Sequence, residues 1–147
     1  MCDLYGAGML FDDPNGFTRT ILPGNFDTMV PLNVFDPLLG MSESGGSLVV
    51  EKGGLYELRF HIGVQLVPSA PYEIFVMQTI GGVTAPIAST VESVPAGTIL
   101  LPRLFSRTAE ACLQAGTRLS LYVRVGRTGV LRIIPGALLS ARRIGDC

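Results

Sequence analysis

Between Leu48 and Leu66 the chain reads LVVEKGGLYELRFHIGVQL, and from Leu55 onward its side chains sort by parity. Tyr56, Leu58, Phe60, Ile62, Val64 and Leu66 fall on one side of an extended strand, with Glu57, Arg59, His61 and Gln65 on the other. Successive side chains of a strand point to opposite faces, so one face here builds a core and the other meets something polar. Gly53 and Gly54 precede this run. Glycine takes the positive φ that a tight strand connection needs and that a Cβ resists, so the segment predicts strand, turn and long strand.

The rest of the chain repeats that grammar. Short β segments are expected at 28–35, 47–50, 55–66, 72–80, 83–92, 98–105, 118–125 and 131–142, separated by Pro, Gly, Ser or Asn. Gly81 and Gly82 join 72–80 to 83–92 as a two-residue hairpin. The stretch 106–114, SRTAEACLQ, contains good helix formers but spans under three turns before Ala115 and Gly116, so strand or extended chain is preferred. Residues 1–25 carry Asp-Asp-Pro-Asn-Gly at 12–16 and Pro-Gly at 23–24, which predict an irregular arm ahead of one domain at 26–147. With no alternation of strands and helices and no internal repeat, the economical fold is all-β, a two-sheet jelly-roll sandwich of about 8–10 antiparallel strands. An immunoglobulin-like sandwich ranks second, since the chain has no Trp and no inter-sheet Cys pair to mark it.

A chain of 147 residues can bury about two thirds of its unfolded surface, enough for a core that stands without metal or disulfide. Mean hydropathy of +0.44 and a charged fraction of only 16% predict that some apolar surface packs against another subunit. No apolar run reaches the roughly 18–20 residues of a membrane-spanning helix, and no secretion signal is visible at the N-terminus. The net charge of −1 argues against nucleic acid. Eight of the ten arginines lie between Arg103 and Arg143 while most acids precede Tyr72, so the two halves can complement each other after folding. Cys2, Cys112 and Cys147 lack the spacing of zinc or redox sites, and no cofactor is implied. Cys2 and Cys147, at the chain ends, are candidates for disulfides between subunits.

The order GGLYELRFHIGVQ, PYEIFVMQTIGGVTAPI, AGTRLSLYVRV and PGALLSARRI resembles the carboxy-terminal domain of the collagen-like glycoprotein of bacterial spore exosporium, over about 30–144. That family is similar in fold to complement globular heads and tumour-necrosis-factor ligands. The resemblance implies a jelly roll that trimerises about a threefold axis, no catalysis, and a place on the spore surface with other coat or surface proteins as partners. The 18 glycines show no collagen triplet period. A rival reading is the receptor- or carbohydrate-binding head of a phage fibre or other adhesin on a virion surface, for which Tyr5, Phe11, Phe17 and Tyr72 are the candidate aromatics.

Within such a trimer the polar face of the long strand would meet its copies. Glu57, Arg59 and His61, with Tyr122 and Arg124 from the off-core face of 118–125, form the expected trimer interface, hydrated because facing like charges are costly in a closed contact. Protonation of His61 there would bias trimer stability at mildly acid pH. Catalysis finds little support: His61 is the only histidine, it sits mid-strand, and no G-x-S-x-G is present. Asp12, Asp13 and Asn15 offer oxygens in a turn without the spacing of a calcium loop, and Gly6–Gly8 has Phe11 where a phosphate loop needs its third glycine.

Overall fold

The computed structural model describes residues 6–97 and 102–147, for 36–39 the backbone alone. Among the described residues fourteen strands make two antiparallel seven-stranded sheets. Sheet 1 contains β1 (Gly6–Leu10), β2 (Phe17–Ile21), β4 (Val34–Leu39), β7 (Gly54–Val67), β11 (Arg103–Leu113), β13 (Gly129–Ile133) and β14 (Leu138–Gly145). Sheet 2 contains β3 (Asp27–Met29), β5 (Met41–Ser44), β6 (Ser47–Val50), β8 (Tyr72–Ile80), β9 (Val83–Pro86), β10 (Glu92–Val94) and β12 (Arg118–Val125). One 3-10 turn, Ala88–Thr90, is the only helical element among the described residues.

The long alternating strand organises sheet 1. β7 pairs along one edge with β14 and then β13, and along the other edge with β11. Its predicted core face is the observed one, with Tyr56, Leu58, Phe60, Ile62, Val64 and Leu66 all buried. From sheet 2, Leu119, Leu121, Val123 and Val125 of β12 and Ile74 and Val76 of β8 meet them in the same cluster. Each such side chain contributes about 1.5–3 kcal/mol by leaving water, so this cluster is the main source of stability. Buried polar atoms are paired: the Tyr56 hydroxyl donates to the Lys52 carbonyl at 2.6 Å, and the Ser47 and Ser120 hydroxyls meet at 2.5 Å.

The Gly81–Gly82 hairpin forms as expected, with φ of 57° and 80° and Ile80 opposite Val83. Gly45 and Gly46 make a second such turn between β5 and β6. Strands are found at 47–50, 72–80 and 118–125 as expected, and of the stretch 106–114 all but Gln114 is strand, within β11. Three expected strands are split: 28–35 falls into β3 and the start of β4 around Pro31, 83–92 is interrupted by the 3-10 turn, and 131–142 breaks at Gly136, where φ is 100°. At Pro31 the chain also changes sheet, since β3 pairs with β12 and β4 with β1. Of the expected strand 98–105, residues 98–101 lie outside those described.

Three expectations are corrected. Gly53–Gly54 is no hairpin, because β6 and β7 belong to different sheets. Gly54 answers to crowding instead, since a Cβ there would stand 2.7 Å from the Gly145 carbonyl oxygen. The arm expected to be irregular carries two strands of sheet 1: β1 lies between β14 and β4, and β2 lies on β13. Arg19 of β2 donates to the Asp27 carbonyl at 2.8 Å and the Thr28 hydroxyl at 2.7 Å, tying it to sheet 2. Finally, Cys147 does not await another subunit, because it is disulfide-bonded to Cys112 of its own chain, with the Cα atoms 5.7 Å apart. The row Gly145, Leu55, Cys112 across β14, β7 and β11 brings the chain end to that point. Cys2 lies outside the described residues.

Candidate functional site

The outward face of sheet 1 carries Glu57, Arg59 and His61. Cross-strand register sets their neighbours: Arg142 and Glu110 flank Glu57, Ser140 and Thr108 flank Arg59, and Leu138 and Ser106 flank His61. Glu57 and Arg142 approach to 3.6 Å, and His61 Nδ1 lies 2.6 Å from the Ser106 hydroxyl. Arg59 and Glu110 have no ion-pair partner among the described residues. Two shallow hollows flank Arg59, about 360 Å³ on the Ser140 side and about 340 Å³ on the Ser106 side. The first is hollow because β1 presents Gly8 there. Beyond it Leu138, Leu10 and Val34 occupy one row across β14, β1 and β4, with Leu10 and Val34 exposed at 36% and 41%.

The His61–Ser106 contact has the spacing of a base and a nucleophile, yet the side chain beside it is Arg59 rather than an orienting carboxylate. Among the described residues no group of His, Cys, Asp or Glu is placed to hold a metal ion. The Asp13 carboxylate accepts from the Asn15 backbone N–H at 3.0 Å, a local turn.

Tyr122 and Arg124 lie elsewhere. They project from the outward face of sheet 2, and β12 turns its core face toward β7, so the five residues expected in one trimer interface are divided between opposite sides of the sandwich. Parity is a property of each strand separately and does not say which outer face two strands share. Arg124 donates from Nε and Nη2 to the two carboxylate oxygens of Asp27, at 2.7 and 3.1 Å, and its guanidinium lies 5.0 Å over the Phe75 ring. The hydrogen bond to Asp27 pushes the Arg124 pKa further up, against its partial desolvation. Tyr122 stacks beside Phe75 at 6.1 Å.

Phe75 and Asp27 had not been singled out in the sequence. Phe75 is buried although it has the outward parity of β8. The signal was the unbroken apolar run Ile74–Phe75–Val76–Met77, since loss of alternation marks a strand covered on both faces. The aromatics proposed for a carbohydrate site are spoken for: Phe11 and Tyr72 are buried, Phe17 packs on the core, and Tyr5 lies outside the described residues. Burial raises the Tyr72 hydroxyl pKa, with Arg103 opposing.

No protein-family model and no curated protein matches the sequence. Solved structures do match. The Eiger TNF of S. frugiperda aligns at a TM-score of 0.69 and 14% identity, over 98% of this chain and 94% of that one. Murine APRIL at pH 5.0 aligns at 0.68 and 11% identity, over 97% and 100%. At such identities the likeness is one of fold, and the chain has the TNF-like jelly-roll fold.

Proposed function

We propose that the chain is a non-catalytic head that assembles with copies of itself as a homotrimer and is displayed on the outer layer of a bacterial spore. The observation that carries self-assembly is the outward face of sheet 1. There an apolar row, the exposed Leu10 and Val34 with the half-buried Leu138, borders a glycine-floored hollow, beside an Arg59 and a Glu110 that have no ion-pair partner among the described residues. Contiguous apolar surface rimmed by polar groups marks protein contacts. Arg59 of one copy is complementary to Glu110 of the next, which avoids burying like charges against each other. The spore surface rests on the sequence resemblance described above.

Light-scattering chromatography tests the assembly. A mass of three times 15.6 kDa is expected with and without reductant, because the observed disulfide lies within one chain. Leu138→Asp should reduce the mass to that of one chain, and the pair Arg59→Glu with Glu110→Arg should restore what either change alone loses. A monomeric parent chain overturns the assembly, and absence of antibody labelling on intact spores overturns the location.

A further inference from the structure

Where β8, β10 and β12 end on sheet 2, a groove of about 510 Å³ opens. We infer that it binds an organic cation, a protonated amine or guanidinium carried on an apolar body, with the Glu73 carboxylate as counter-ion. Cross-strand register lines up Asp27, Arg124, Glu73 and Ser93 in one row across β3, β12, β8 and β10. The row thus holds two carboxylates and one guanidinium. Arg124 is committed: its Nε and Nη2 donors are taken by Asp27 and its plane lies over Phe75, so the fork that would grip an anion faces Asp27 instead. Glu73 is half-buried, lines the groove, and makes no hydrogen bond or ion pair with any described residue. A half-buried carboxylate with one engaged cation nearby attracts positive charge and repels negative.

The walls supply the apolar part. Pro71 and Pro95 line the groove together with Val94 and Val125, which are otherwise buried in the core, and its size falls in the range of about 300–1,000 Å³ typical of small-molecule sites. They are preformed. The Gly126 N–H donates to the Pro71 carbonyl at 2.8 Å, and a Cβ at Gly126 would stand 2.9 Å from that oxygen, so glycine lets the two loops close. Prolines on both sides reduce the ordering cost of binding. This site lies on the sheet opposite the proposed assembly face and stands independently of it.

Amide chemical-shift titration of the full chain tests the inference with three probes of one shape: benzylamine, benzyl alcohol and benzoate. Benzylammonium should move the amides of Glu73, Ser93, Val125 and Gly126 and bind about fivefold more tightly than benzyl alcohol, as a partly exposed ion pair provides. Benzoate should move none of them. Glu73→Gln should bring the amine and the alcohol to equal affinity while the remaining amides stay in place. Equal binding of amine and alcohol to the parent chain overturns the inference, as does benzoate binding, which would make Arg124 the receptor. Amine shifts that persist unchanged in Glu73→Gln overturn it too. A further arm uses acetyl-Leu-Lys-Leu-amide: tighter binding than butylamine identifies a lysine side chain of a partner protein as the cation, and weaker binding a free small amine.

Discussion

Reducing the bond between Cys112 and Cys147 should cost this sandwich a large share of its stability. The bond closes a loop with a sequence separation of 35, which contains β12, β13 and β14. For a loop of that length the chain-entropy relation assigns about 4 kcal/mol at room temperature, against a total of about 5–15 kcal/mol for an ordinary domain. With a urea dependence of about 2 kcal/mol per molar, the unfolding midpoint should fall by about 2 M. The melting temperature should fall by about 8–16 °C. The assay is urea denaturation of the parent chain and of Cys112→Ser/Cys147→Ser, at one protomer concentration because self-association adds its own stability. Amide exchange should accelerate first near the chain end, where Gly145 of β14 pairs with Leu55, since the bond tethers that end to β11. A midpoint shift under about 0.3 M would refute the reasoning, because it would mean that the packing of β14 on β7 already constrains the chain as much as the bond does.

Other outcomes follow from single residues. The buried Tyr72 hydroxyl has a raised pKa, so its contribution is fully present below the ordinary phenol value of about 10 and is lost as pH rises through the raised folded value; stability should decline above about pH 10, less steeply in Tyr72→Phe, as read by urea midpoints between pH 8 and 11. Leu58→Ala removes a fully buried side chain opposite Ala141 and Ala109 and should cost about 2–5 kcal/mol by the same denaturation assay. Gly54→Ala places a Cβ against the Gly145 carbonyl, and should loosen the end of β14 more than the rest of sheet 1 in an amide-exchange map. Asp27→Ala frees Arg124 and should cost about 1 kcal/mol or less, with the cost shrinking as salt rises, because both side chains are near 40% exposed.

What could be read before folding was whatever a strand encodes by itself. The parity of β7 and β12 assigned every inward residue correctly, because the pleat forces alternation whatever the neighbour. The Gly81–Gly82 hairpin was equally local, since two positive φ values in a row demand glycine or little else. The two-sheet jelly roll followed from the number of such strands and the absence of helices between them.

Pairing over distance was not legible. β1 and β2 resembled an arm because each has only five residues, bounded by turn chemistry, and their strand character comes from β14 and β13, more than a hundred residues later. Cys147 became an internal ligature for the same reason: only the row that joins β14, β7 and β11 brings it to Cys112. The candidate interaction residues divide along this line. That Glu57, Arg59 and His61 share an outward face was determined by their spacing on one strand. That Tyr122 and Arg124 look out from the opposite side, toward Asp27, Phe75 and Glu73, was decided only when the two sheets closed on one core, since a strand's alternation names two faces without saying which way either will point.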